Sequence, residues 1–75
     1  MNISKLRLLT VCVKRANPEF AKKLSKMHNT ALEKSKLDVE QGGIGDFVYE
    51  ASIVEQAIAL GPDACNWFLE HKIFE

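Results

Sequence analysis

Cysteine is scarce in this 75-residue chain: there are two, Cys12 and Cys65, and they form no C-x-x-C pair. A disulfide framework in a small secreted domain usually needs more cysteines, and no secretory signal precedes them. We therefore expect both to be reduced, buried thiols in a cytoplasmic protein, because disulfides are rare in that compartment. A disulfide between the two is the alternative, so the sequence leaves their redox state open.

Long apolar runs and metal-ligand clusters are also missing. The apolar stretch from Leu8 to Val13 is too short to cross a membrane. His28 and His71 belong to no His-x-x-x-His or Cys/His cluster, so we expect no metal and no cofactor. No nucleophile elbow or paired-carboxylate signature appears, and a chain this short has little room for a closed pocket. The expected class is therefore non-enzymatic, without membrane attachment.

Charge of one sign is scarce in each part of the chain. No acidic residue precedes Glu19, and no basic residue lies between Lys36 and Lys72. The net charge is zero, yet residues 1–36 carry nine basic and two acidic side chains, which gives +7. Residues 37–75 carry one basic and eight acidic side chains, which gives −7. A separation of this kind points to interaction surfaces.

Helical periodicity is what the chain does have. It predicts an all-α fold: a small compact bundle of three long helices plus one short C-terminal helix, in a single domain of residues 1–75. The predicted helices are 4–15, 18–36, 46–60 and 62–71. The alternative is an α+β fold in which residues 6–13, rich in β-branched side chains, form a strand.

Capping and breaking residues set the predicted helix limits. Ser4 or Asn2 caps the first helix, and Asn17-Pro18 is a strong start signal for the second. Residues 37–45 form a loop, and Asp46 is expected to cap the third helix. Gly61 with Pro62 ends the third helix and opens the fourth.

The third predicted helix is apolar on two sides. One stripe contains Phe47, Ala51, Val54 and Ile58, and a second contains Tyr49, Ile53, Ala57 and Leu60. A helix this apolar is expected to lie at the centre of the bundle or at a dimer contact. At the C-terminus, Ile73 and Phe74 would be exposed unless they dock onto the body of the protein or onto a neighbour.

Three of the four glycines lie in QGGIGD, residues 41–46. A phosphate-binding loop would need successive free N–H groups, usually a preceding strand and commonly a lysine. Here the flanking residues include Asp38 and Glu40, which repel phosphate. We therefore interpret this stretch as a corner between helices.

The leading hypothesis is a protein–protein interaction module that acts as an inhibitor, adaptor or accessory subunit of a larger complex. An acidic surface can dock into a basic groove that normally holds nucleic acid. A nucleic-acid-handling machine is therefore one candidate for the larger complex. The sorted charges also permit a homodimer or head-to-tail association. The predicted partner-binding residues are Asp38, Glu40, Asp46, Glu50 and Glu55, with Tyr49 or Trp67 as an aromatic anchor.

The alternative hypothesis is a nucleic-acid-binding regulator that uses the basic part, residues 1–36. The predicted phosphate contacts are Lys14, Arg15, Lys22, Lys23 and Lys26. Against it, the turn after the first helix lacks the usual helix-turn-helix glycine, and no exposed aromatics interleave with the lysines. Trp67 also has a simpler interpretation, as a partly buried side chain that covers the end of the core.

Overall fold

The computed structural model describes residues 1–74 and is all-α over that range, which confirms the predicted fold class. The elements are α1 (Ile3–Ala16), α2 (Pro18–Glu40), α3 (Asp46–Leu60) and α4 (Pro62–Glu70). No strand occurs among the described residues, so the α+β alternative for residues 6–13 is wrong. The segment belongs to α1, which Asn2 caps. The Asn2 side chain accepts a hydrogen bond from the Lys5 N–H at 2.9 Å.

One residue, Asn17, joins α1 to α2. Its N–H donates to the Val13 carbonyl at 2.7 Å, which closes the end of α1. Its side chain then accepts from the Phe20 N–H at 3.1 Å, while Pro18 occupies the first helical position of α2. The start predicted for α2 is therefore confirmed, and α2 folds back along α1.

The end of α2 lies four residues beyond the prediction, at Glu40 instead of residue 36. Gly42 has φ +94 and closes the helix in a Schellman arrangement. Its N–H donates to the Val39 carbonyl at 3.0 Å, and the Gly43 N–H donates to the Asp38 carbonyl at 2.8 Å. The sequence analysis predicted too short a helix, because the last turns of α2 expose Val39 and other apolar side chains and the amphipathic pattern fades there.

The start of α3 differs from the prediction in its capping group. Asp46 is the first helical residue and not the cap; the cap position belongs to Gly45, and no side-chain capping bond forms. The carboxylate of Asp38 instead accepts a hydrogen bond from the Gly45 N–H at 3.2 Å. The corner is therefore held by an acidic side chain from α2, eight residues before Asp46 in the sequence.

The core forms along the contacts of α1 with α2, of α2 with α3 and of α3 with α4. Its buried residues are Leu6, Leu24, Met27, Ala31, Tyr49, Ile53, Ala57, Phe68 and Ile73. Helix α3 packs against both α2 and α4, and α1 packs against α2. The C-terminal segment docks onto the body: the Asn2 N–H donates to the carbonyl of the fully buried Ile73 at 2.7 Å.

The two cysteines are free, and they are not both buried as expected. Cys65 is half-buried beside the core, whereas Cys12 is exposed. Cys12 lies one turn after Leu8 on the outward side of α1, which explains its exposure. Among the four helices described, none combines the length and apolar character needed to cross a bilayer.

Candidate interaction surfaces

An unburied row of apolar side chains runs along the outside of α3. We call Phe47, Ala51, Val54 and Ile58 the outer stripe. Phe47 is 83% exposed and Ile58 is 65% exposed, whereas Val54 is 37% exposed. The second predicted stripe faces the core through Tyr49, Ile53 and Ala57, whereas its last residue, Leu60, is 42% exposed. The sequence predicted two packing faces on α3, and contacts within the chain bury one of them.

Carboxylates border the outer stripe on both sides. At 100° per residue, Glu50 lies on one edge of the stripe and Glu55 on the other. With Phe47, Ala51 and Val54 they enclose a shallow concavity of about 370 Å³. Glu55 is exposed, while the Glu50 carboxylate lies 3.2 Å from the amino group of Met1. The stripe is thus an apolar strip with an acidic rim.

The other predicted acidic residues lie at the corner between α2 and α3. Asp46 and Glu40 are exposed there, close in sequence to Phe47. Asp38 is half-buried, and its carboxylate is engaged by the Gly45 N–H. The structure therefore leaves Glu40 and Asp46 available to a partner and gives Asp38 an internal role in the loop.

Tyr49 does not lie on this surface. It is 4% exposed, and its hydroxyl shares a hydrogen bond with Nδ1 of His28. Burial raises the pKa of the Tyr49 phenol above its ordinary value, and the Arg7 guanidinium acts weakly in the opposite direction. The aromatic side chain that the outer stripe does expose is Phe47, two residues earlier on the opposite side of the helix.

Trp67 lies at the other end of the molecule from the acidic corner. Its half-buried ring meets the Phe20 ring edge-on at 5.3 Å and lies 4.7 Å from the His71 ring. Phe20 and Asp38 are separated by most of α2, about 27 Å along the helix axis. Trp67 therefore covers the end of the core and does not share a surface with the acidic corner.

The basic residues line a groove between α1 and α2. We call this the α1–α2 groove; its volume is about 610 Å³, and its lining includes Val11, Lys14, Ala21, Lys22, Ser25 and Lys26. No lining residue of this groove is acidic. Lys23 borders a neighbouring concavity with Lys26, and Arg15 is exposed on α1 outside both. Three of the five predicted basic residues are therefore brought together.

Few close ion pairs join the basic and the acidic part of the chain. Over residues 1–74 there are two ion pairs within 4.0 Å. One joins Lys22 to Glu19 within the exposed start of α2, and the other joins the Met1 amino group to Glu50. No lysine or arginine side chain in this range pairs with a carboxylate from beyond residue 36. The opposite charges of the two parts therefore remain available to other molecules.

The exposure of Phe47 is the feature that sequence reasoning missed. Both stripes of α3 are apolar, and each is continuous over about three turns. Periodicity alone cannot tell which stripe faces inward, because that depends on the rotation of α3 about its axis. One local signal was present: Asp46 and Glu50 lie beside Phe47 and favour a solvent-facing position for that part of the stripe.

Neither metal-ligand geometry among the described residues nor similarity to other proteins assigns a function to this chain. In the described part of the chain, no group of three or more His, Cys, Asp or Glu side chains is placed to hold a metal ion. No family model, curated protein or solved structure matches this chain. The functional interpretation therefore depends on the outer stripe and the α1–α2 groove themselves.

Proposed function

We propose that this chain is a non-enzymatic protein-interaction module that acts as an inhibitor, adaptor or accessory subunit of a larger complex. The observation that carries the proposal is the outer stripe of α3, with Phe47 83% exposed at its head. Contiguous apolar surface with a polar rim is typical of protein-binding sites. Exposed aromatic side chains also supply much of the binding energy at such sites.

The acidic rim defines the chemistry of the partner. Glu50 and Glu55 border the stripe, so the complementary surface is an apolar groove or helix face edged by lysine or arginine. A protein groove that normally holds a nucleic acid has this basic character. A nucleic-acid-handling machine is therefore one candidate complex, in which the carboxylates of this chain take the place of phosphates.

Paired variants test the proposal by affinity capture from the source cell with nuclease treatment. The test variant is Phe47→Ser with Glu55→Lys, which removes the exposed ring and reverses one rim charge. The matched control is Leu69→Ser with Glu70→Lys on α4, where Leu69 is 68% exposed and Glu70 is exposed. Both variants change one apolar and one acidic surface residue.

The expected result is one protein that the wild type and the α4 control retain and the stripe variant loses. The helical circular dichroism of all three should agree, because surface substitutions of this kind change stability little. Equal retention of that protein by the stripe variant would refute a role for the outer stripe.

A second function is favoured by one specific observation, the convergence of Lys14, Lys22 and Lys26 on a groove without acidic lining residues. A nucleic-acid-binding regulator would use this groove for phosphate contacts. DNA and RNA titrations at low and moderate salt test it, because affinity should fall steeply with salt. Replacing Lys26 by Glu should lower that salt slope, by about one if it contacts one phosphate. Absence of binding at low salt would exclude this function.

A further inference from the structure

We infer that the outer stripe also recognises a second copy of this chain: α3 of one copy docks in the α1–α2 groove of another. The inference rests on the proposed function of the stripe, because the same surface then binds both the partner protein and a second copy of this chain. Self-association covers the stripe, so partner binding requires that the copies separate.

Charge complementarity is the first support. The groove carries Lys14, Lys22 and Lys26 and has no acidic lining residue. The concavity on α3 carries Glu50 and Glu55 and has no basic lining residue, while Lys34 lines the adjoining concavity beside Glu55. Glu50 pairs with the Met1 amino group of its own copy at 3.2 Å, whereas Glu55 has no ion-pair partner within residues 1–74. A neighbouring copy supplies a counter-charge for Glu55.

The dimensions of the two surfaces also agree. The groove follows α2 from Pro18 to Asn29, and the stripe follows α3 from Phe47 to Ile58. Each span covers eleven residue steps, about 16 Å of helix. Lys14 lies on the α1 wall of the groove, Lys22 and Lys26 lie on the α2 wall, and one carboxylate lies on each edge of the stripe, so each wall can meet an opposite charge.

The groove also offers apolar contact for a docked helix. Val11 is 66% exposed on the α1 side, and the floor on the α2 side is formed by the small residues Ala21, which is only 4% exposed, and Ser25. Small side chains such as Ala21 and Ser25 let the backbone of a second helix approach closely. An apolar helix face lying in a groove is a recurrent mode of recognition. Phe47 and Val54 would supply the anchoring side chains.

The two contributing surfaces differ, so the contact is heterologous. One copy gives its α3, and the other gives its α1 and α2. Heterologous contacts form closed rings or open chains according to the rotation between copies. The mass of the wild type should therefore rise with concentration and fall again when salt screens the charged rim.

Light scattering after size exclusion, over a range of protein concentrations, tests the inference on nuclease-treated protein. Glu55→Lys and Lys26→Glu should each weaken self-association about tenfold, because each places like charges in contact. Their matched controls, Glu70→Lys and Lys36→Glu, change the same charges at exposed positions outside the two surfaces. Both controls should associate as the wild type does.

A charge swap gives the decisive comparison. The double variant Lys26→Glu with Glu55→Lys has the net charge of the wild type, and its two reversed residues again attract across the contact. It should recover at least half of the lost association free energy. Lys36→Glu with Glu55→Lys has the same net charge but leaves the groove basic, so it should stay as weak as Glu55→Lys alone. Equal recovery in both double variants would overturn the inference.

Other outcomes separate this inference from the proposed function. A wild type that stays monomeric at every concentration overturns the self-recognition, whereas selective loss of a captured protein by the stripe variant would still support the proposed function. Self-association of the wild type, together with unchanged capture of the partner by the stripe variant, would support the inference and refute the proposed partner site. An increase in mass that is seen only when nuclease treatment is omitted would assign the groove to nucleic acid and overturn self-recognition.

Discussion

The two apolar faces of α3 have similar composition and opposite surroundings. Ile53 on the inner face is fully buried, whereas Ile58 on the outer face is 65% exposed. Tyr49 is 4% exposed and hydrogen-bonded, whereas Phe47, two residues away, is 83% exposed. An apolar face in a sequence therefore predicts that the face favours contact, but the partner that supplies the contact can lie outside the chain.

The difference follows from the small number of helices. Helix α3 packs against α2 and α4 on its inner side. Bringing a further element over the outer side would need a longer chain, since a domain of this size buries only about 60% of the surface of its unfolded form. The outer stripe is thus the part of the hydrophobic pattern that the fold does not use.

The largest expected effect comes from truncating the same residue type on each face. Ile53→Ala should destabilise the protein by about 3 kcal/mol, because it leaves a cavity in a fully packed site. Ile58→Ala should change stability by less than about 0.5 kcal/mol, since its side chain is mostly in water already. Urea denaturation followed by circular dichroism measures both. Similar losses for both variants would mean that the outer face is covered.

Local signals explain why most helix limits were predictable. Asn17 and Pro18 act through hydrogen bonds and φ values within three residues, so the start of α2 needs no tertiary information. The same holds for the Gly61–Pro62 break after α3. The three long helices and the short one follow from such signals together with apolar periodicity.

Features that depend on distant contacts were not predictable. The partner of the Gly45 N–H is the Asp38 side chain, and only the folded corner brings them together. The rotation of α3 places Tyr49 inside and Phe47 outside, and the packing of Trp67 on Phe20 depends on where α4 lies. Sequence alone therefore listed both carboxylates of the acidic rim, but the aromatic side chain exposed beside them is Phe47 and not Tyr49.

The second prediction concerns the corner between α2 and α3. Gly45 and Gly42 have nearly equal φ values, +92 and +94. A Cβ at Gly45 would lie 2.8 Å from Cγ2 of Val39, whereas a Cβ at Gly42 would meet open space. Gly42→Ala should cost about 1 kcal/mol from backbone strain alone. Gly45→Ala should cost about 2 kcal/mol, because it adds a steric clash.

Urea denaturation of the two glycine variants measures the difference. If Gly45 also fixes the rotation of α3, its alanine variant should disturb the buried environment of Tyr49, which is the only tyrosine in the chain. The pH at which the Tyr49 phenolate absorbance rises should therefore fall in Gly45→Ala and stay constant in Gly42→Ala. Equal costs for both variants would show that the corner relaxes without strain.

The third prediction concerns the segment that closes the inner face. Lys72 has φ +54, a conformation that favours glycine, and its N–H donates to the Leu69 carbonyl at 3.1 Å. The next N–H, of Ile73, donates to the Phe68 carbonyl at 3.2 Å, which holds Ile73 in the core. Lys72→Gly should stabilise the protein by about 0.5–1 kcal/mol, because it removes the left-handed strain.

The matched control for this change is Glu70→Gly, within the last turn of α4. Glycine at that helical position should destabilise by about 0.5–1 kcal/mol, since it lowers helix propensity. Opposite signs for the two glycine variants in urea denaturation would confirm that the gain comes from the backbone conformation of Lys72. Destabilisation by Lys72→Gly would mean that its side chain makes a contact that outweighs the strain.

The smallest expected effect is that of Tyr49 ionisation on stability, which appears only in alkaline solution. It again distinguishes the inner face of α3 from the outer one. Burial raises the pKa of Tyr49 above 10.0, its ordinary value, and Arg7 lowers that pKa by less. Because the pKa is higher in the folded protein, the stabilising contribution is complete below about pH 10 and is lost as the pH rises through the folded value. Urea denaturation between about pH 8 and pH 12 should show this decline.

Two measurements isolate the contribution of Tyr49. Phenolate absorbance reports on Tyr49 alone, because the chain has one tyrosine. It should rise at a higher pH in the folded protein than in urea. Tyr49→Phe should be less stable near neutral pH, since His28 loses its hydrogen-bond partner, yet its stability should fall less steeply above about pH 10. Identical titration of the phenol in the folded and unfolded chain would place its ring in water, as Phe47 is, and would remove the contrast between the faces of α3.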